Sequence, residues 1–338
     1  MGWLGPGRLV DDPVVAIQGT SIELAGVAEV ADDVPVIETD GFLMPGVVDR
    51  HVHVAMSDPA SILLGGVTAV RDLGWPPQEI FSLADASESS GFEGPLIRAV
   101  GPMLTCRGGY PARAAWAPRD TALEVAGAEE AANSVRETLE RSGVSVVKVA
   151  LNSEAGPTLT DEELVAICDT AHQMDAIVTA HVQGRGQVER ALGAGVDELA
   201  HAPWTERLAE DVIEQMAGRM RIVSTLDIHS YGRDTPELRL ATENLNRFLA
   251  AGGRVAYGTD LGNGPIPPGI HAGEAWHLYR SGLRPEGVLE AMTFRPLASE
   301  EPADLIALGG NPLEDLGAFM DVRLVVRAGR LVRQGGGA

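Results

Sequence analysis

His51-Val-His53 sets two imidazoles two positions apart near the end of the strand-like segment 47–54. Strand side chains alternate faces, so both rings point the same way and can meet one metal ion. Alone the pair is a weak signal, because histidines on a β surface are commonly structural. Four further residues add weight through their positions. Lys148 lies inside Val-Val-Lys148-Val-Ala-Leu, and His181 closes Val-Thr-Ala-His181. His201 closes Glu-Leu-Ala-His201, and Asp260 closes Tyr-Gly-Thr-Asp260. As ligands, His51, His53 and Asp260 would hold one divalent ion, and His181 with His201 a second. Imidazole and carboxylate donors suit zinc, and also accommodate manganese, iron, cobalt or nickel.

Lys148 is the one lysine of the chain; the other 25 of its 26 basic residues are arginine. Arginine stays protonated, whereas a desolvated lysine can become a neutral amine. The ordinary reading is a strand-end lysine whose stem snorkels toward water. The alternative is chemical. An ammonium has no lone pair and cannot bridge metal ions. Carbon dioxide added to the neutral amine gives a carbamate, whose two oxygens can span ions roughly 3.5–4 Å apart.

The elements that must position these residues follow from the pattern around them. Short β-branched runs alternate with helical stretches from about 46 to 292. Eight strands are expected at 47–54, 67–72, 96–101, 144–151, 177–182, 198–201, 221–226 and 254–260. Helical stretches fall at 121–142, 160–175, 205–219 and 234–251, and Thr160-Asp-Glu-Glu163 reads as a capping box. Eight βα units over this length predict an α/β fold, a (β/α)8 barrel with its active site at the C-terminal strand ends. Four of the eight histidines and the only lysine fall at such positions. A doubly wound sheet is the runner-up, but no Gly-x-Gly-x-x-Gly follows the first strand. The flanks hold short strand-like pieces at 14–18, 21–24, 36–38, 304–308, 322–327 and 330–333. Residues 1–45 and 293–338 are therefore expected to form one small β domain beside a barrel of residues 46–292. The terminal Gly-Gly-Gly-Ala is expected to fray.

A net charge of −22 argues against nucleic acid or an anionic membrane as a partner. No apolar run approaches the length of a membrane span. Two cysteines, Cys106 and Cys168, are too few for a disulfide framework or a thiolate zinc site. No secretory signal opens the chain, so the expectation is a cytoplasmic protein with a small-molecule substrate. The sequence does not set the oligomeric state and leaves a homo-oligomer open.

Leu43-Met-Pro-Gly-Val-Val-Asp49-Arg-His51-Val-His53 resembles the opening motif of the amidohydrolase superfamily. Gly66-Val-Thr-Ala-Val-Arg71-Asp72-Leu-Gly74, Gly195-Val-Asp-Glu-Leu-Ala-His201 and Gly258-Thr-Asp260 resemble its later barrel signatures. Pro302-Ala-Asp-Leu-Ile-Ala-Leu-Gly-Gly-Asn-Pro-Leu313 resembles its return to the small β domain. The resemblance is nearest the branch of imidazolonepropionase-like proteins and metal-dependent prolidases, and Lys148 favours the two-metal members. It implies hydrolysis of an amide-type C–N bond, in a dipeptide or N-acyl amino acid, by a metal-bridging hydroxide. It also implies that Asp260 both ligates a metal and carries the proton to the leaving nitrogen. Alternatives are a lactone, a cyclic imide or a deamination substrate at the same site, or a non-catalytic binding barrel.

Other polar residues are candidates for the substrate. The glycine-containing stretch after the third strand carries Arg107, Tyr110 and Arg113, and either arginine could clamp a carboxylate. His229 and Tyr231 follow the seventh strand and face the same rim. Asp72 either orients a ligand from behind or caps the next helix. His271 is close enough in sequence to reach the site; His277 and His172 read as packing. Cys106 has no base beside it and is no nucleophile.

Overall fold

The computed structural model describes residues 1–28, 34–141 and 143–335. Eight parallel strands form the barrel: Val47–Val52, Val67–Asp72, Leu96–Ala99, Val146–Asn152, Ile177–Gln183, Glu198–Leu199, Arg221–Val223 and Arg254–Ala256. The first three pair in order, and so do the fourth to the eighth. Closure runs from the eighth back to the first. There the N–H of Asp260 donates to the His51 carbonyl at 2.7 Å, and that of His53 to the Leu261 carbonyl at 2.7 Å.

The third strand does not run straight into the fourth. Gly101 at φ 78° and Pro102, which has no N–H, interrupt its ladder. The chain resumes as Met103–Cys106, which pairs with the fourth strand, Met103 opposite Lys148. On its other side lies Ala122–Val125, so the helix expected over 121–142 is corrected to a strand followed by the helix Ala128–Leu139. Ser142 lies outside the described residues.

The remaining helices follow local chemistry. Asp161–Gln173 opens on the expected capping box. Thr160 Oγ1 accepts from the Glu163 N–H at 3.2 Å, and the Glu163 carboxylate accepts from the Thr160 N–H at 2.7 Å. Glu210–Arg219 and Pro236–Ala250 occupy the later helical stretches. In the fourth strand Val147, Val149 and Leu151 are buried in the main hydrophobic core. Alternation then turns Lys148 to the opposite face.

Segments from both chain ends meet in one six-stranded sheet. Its order is Arg330–Gln334, Val322–Arg327, Leu305–Leu308, Phe42–Pro45, Gly2–Trp3, Leu9–Val10. Phe42–Pro45 passes through Gly46 directly into the first barrel strand, which fixes the sheet against the barrel. A Cβ on Gly46 would stand 2.1 Å from Thr68 Oγ1, so only glycine makes this passage. The hairpin Val14–Gln18 with Ser21–Gly26 forms a separate two-stranded sheet. The segment expected as a strand at 36–38 is irregular; Val36 and Ile37 are exposed and pair with no strand among the described residues. Residues 29–33, and 336–338 of the tail expected to fray, lie outside the described residues. No helix among the described residues is long and apolar enough to cross a membrane.

Candidate active site

A cavity of about 480 Å³ opens at the C-terminal ends of the barrel strands, the size of a small-molecule site. Its lining gathers His51, His53, Lys148, His181, His201 and Asp260. All six are buried.

His51, His53 and Asp260 form a compact group of three potential ligand atoms. The Nδ1–H of His51 donates to the Ala200 carbonyl at 2.8 Å, and that of His53 to the Gly74 carbonyl at 3.0 Å. These bonds leave Nε2 of each ring as the inward atom. The two Nε2 atoms stand 3.2 and 3.4 Å from Oδ1 of Asp260. That oxygen is buried and accepts no hydrogen bond. Oδ2 is tied down by the Asn263 amide at 2.9 Å. Asp260 itself sits at φ 58°, a left-handed conformation that aspartate tolerates better than most residues.

Burial drives His51 well below the ordinary imidazole range. It also works against a charge on His53, but Asp260 and Asp72 more than offset it and raise that ring. Burial likewise works to raise Asp260, yet the two histidines hold it well below the usual carboxylate range. Three electron-pair donors thus converge on a point where a proton or a metal cation belongs.

His181 and His201 face each other across the strand ends, Nδ1 to Nε2 at 2.9 Å. Nδ1 of His201 bonds Thr225 Oγ1 at 2.8 Å, and the Asn152 amide lies 3.5 Å from Nε2 of His181. Burial pushes His181 down to about 3 and His201 well below its usual value, so both rings are neutral near pH 7. Neutral imidazole is the form that binds metal. Lys148 lies among these groups with Nζ buried and unpartnered. Burial lowers its ammonium to about 7, against the pull of Asp260.

The supports behind these residues are specific. Asp49 Oδ1 accepts from the His51 N–H and the Thr259 N–H, each at 3.1 Å, and Oδ2 from the Thr259 hydroxyl at 2.5 Å. It therefore stitches the histidine strand to the strand carrying Asp260. Gly258 allows that approach, since a Cβ there would stand 2.3 Å from Val223 and 3.1 Å from His51. Asp72 accepts from the N–H groups of Val54 at 2.8 Å and Gly74 at 3.0 Å. Gly74 is the residue whose carbonyl orients His53, so Asp72 works through it. Asp72 does not cap the following helix, whose N-cap position is Pro76.

The substrate candidates divide. Tyr110 and His229 line the cavity. Arg107 and Arg113 are exposed on the stretch after the third strand and lie outside the cavity lining. Tyr231 is turned outward, 37% exposed, its hydroxyl 3.4 Å from the Asn263 carbonyl. His271 and His277 both bond Asp227, at 2.7 and 3.2 Å, and do not reach the cavity. His172 pairs with Asp197 at 2.9 Å on the helical layer. Cys106 stays off the lining. The sequence reading missed Trp116 and Trp204, which wall the cavity. Trp204 stands three residues past His201, and that spacing was the available signal.

The sequence pattern of the amidohydrolase family matches residues 42–311. Ochratoxinase of Aspergillus niger is 26% identical over 360 residues, spanning 84% of this chain and 73% of its own. The crystal structure of that enzyme superposes with a TM-score of 0.78 at 22% identity, over 98% of this chain and 93% of the other. A Xaa-Pro dipeptidase with methionine bound in its active site superposes with a TM-score of 0.79 at 22% identity, over 94% of each chain. Adenine deaminase 2 of Rhizobium etli is 26% identical over 360 residues, 98% of this chain and 56% of its own.

Proposed function

The chain belongs to the amidohydrolase family and is a hydrolase, and from that premise we propose that it cleaves an amide-type C–N bond with two divalent metal ions. The observation that carries the proposal is the convergence of His51 Nε2, His53 Nε2 and the unpartnered Asp260 Oδ1 on one point. These donors fit one ion. His181 and His201, neutral and facing, fit a second. Lys148 is the bridge in this reading: its neutral amine attacks carbon dioxide, loses a proton and becomes a carbamate. The buried, unpartnered Nζ supports that role, because an ammonium left there has no acceptor. Zinc is the proposed metal on the chemistry of the donor set.

Bound ions supply Lewis-acid activation of a water and of the substrate carbonyl. The side chains do the rest. Asp260 takes the proton from the attacking water and delivers it to the leaving nitrogen. Asn263 holds Oδ2 so that Oδ1 faces the reacting atoms. Asp72 and the Gly74 carbonyl fix the His53 ring, and Asp49 fixes the first strand against the eighth. Trp116, Trp204 and Tyr110 exclude water around the carbonyl. The dipeptide and N-acyl amino acid expectation comes from the family resemblance; the separate candidates for a carboxylate clamp, Arg107 and Arg113, do not line the cavity.

The test is hydrolysis of matched amides and lactones by zinc-loaded protein, with chelator-treated protein as the control. Release of an amine that stops on chelation supports the proposal. Ring opening of lactones with no amide turnover would replace it with an ester-directed reading.

A further inference from the structure

The cavity walls carry a second message beside the polar cluster. Trp116 lies 5.0 Å from His53 between ring centroids, and Tyr110 stacks on His181 at 5.0 Å and 25°. Trp204 lies 4.5 Å from His229. Tyr110 and Trp116 come from the chain after the third strand and Trp204 from the end of the sixth, so flat apolar faces enter from well-separated parts of the barrel mouth. Aromatic side chains with a few convergent polar groups are how small-molecule pockets take planar ligands.

Charge at the site is equally informative. Among the described residues lining the cavity there is no arginine, and the one lysine is Lys148, with its Nζ buried among the proposed ligands. Arg107 and Arg113 face solvent. His229 offers a buried, unpartnered Nε2, and burial lowers that ring to about 4, so it supplies a hydrogen bond and not a charge. The protein as a whole carries −22, a field that repels anions at range. A free carboxylate beyond the scissile bond would therefore find no arginine or free lysine to pair with on the cavity wall.

We propose that the site takes an uncharged substrate bearing an aromatic ring near the scissile carbonyl, held against the Trp116, Tyr110 and Trp204 walls, and that it selects against a free carboxylate. The proposal rests on the hydrolase reading only for the location of the scissile bond.

N-benzoylglycinamide and N-benzoylglycine share one ring and one internal amide, and differ only in a terminal carboxamide against a carboxylate. Calorimetric titration of each into the zinc-loaded protein is the test. The neutral ligand is expected to bind at least about tenfold more tightly, the scale of one unpaired polar group. Trp204→Leu should weaken the neutral ligand by about tenfold with zinc content unchanged. Equal or tighter binding of N-benzoylglycine overturns the proposal, and so does failure of both to saturate. If Trp204→Leu does not fold, the comparison in the unmodified protein decides alone. Preferential binding of the neutral ligand without cleavage of any amide would sink the hydrolytic reading and leave this one standing.

Discussion

Asp260 and His51 meet where the barrel closes. The N–H of Asp260 donates to the His51 carbonyl at 2.7 Å, and Oδ1 of the same residue lies 3.2 Å from Nε2 of the His51 ring. The backbone bond that seals the first strand to the eighth thus also sets the distance between two proposed metal ligands. Folding the barrel and building the site are one event at this seam.

Asp260→Asn keeps the shape and removes the carboxylate that accepts a proton. Turnover should fall by about 10²–10⁴-fold, the range for a lost general base. Zinc content, measured by mass spectrometry on the same preparation, should fall far less. Parallel loss of both would reduce Asp260 to a ligand.

Asp72→Asn replaces a carboxylate that receives two buried N–H groups by an amide that can receive them less well. The Gly74 carbonyl should then orient His53 poorly. Zinc affinity is expected to weaken by about 10–100-fold, as for other groups that orient metal-binding histidines. A competition titration with a chromogenic chelator measures this. Unchanged zinc affinity with only a lower Tm would make Asp72 purely structural.

Asp227 carries a prediction about pH. Burial works to raise it, but His271 and His277, with Ser230 and the Gly232 N–H, hold it well below the carboxylate value of 3.8. His271, opposed by burial, is raised above 6.5 by Asp227. A depressed acid stabilises above its unfolded pKa and loses that contribution as pH falls through the folded one. A raised histidine stabilises below its unfolded pKa and loses that contribution as pH rises through the folded one. The pair therefore contributes most between 3.8 and 6.5. Asp227→Asn should cost about 2 kcal/mol in that window, and less on either side. Urea melts of both proteins across pH give the difference, and a flat difference would contradict the account. Asp227 anchors the turn that presents His229, so the variant should also raise KM more than it lowers kcat.

The sequence exposed the barrel because its signal is local. Runs such as Val67–Asp72 and Ile177–Gln183 show their β-branched character within a few residues, and the next helix declares itself by a cap such as Thr160. His51, His181, His201 and Asp260 were findable because a parallel barrel delivers every strand end to the same rim. What could not be read depended on distant partners. Ala122–Val125 is a strand only because Met103–Cys106 offers it an edge. Arg107 and Arg113 sit in a glycine-bearing stretch whose direction is set by tertiary packing, and it carries them outward. The two roles open to Asp72 were separated by Pro76 and Pro77, which begin the next helix without its help. Trp204 carried only the signal of its place three residues past His201, and Trp116 carried none, because its position on the cavity wall is set by tertiary packing.

Lys148 is where the account stands or falls. A buried Nζ without a partner, its ammonium lowered to about 7 by burial, is a poor place for a charge and a good one for a carbamate bridge. Zinc content per chain should be measured on unmodified protein and Lys148→Arg, both loaded with zinc and bicarbonate. Two ions per chain, falling to one or none in the variant while its far-UV circular dichroism is kept, is the result expected. Unmodified protein that binds no zinc, or a variant that keeps the full complement, would contradict the two-metal centre at its root.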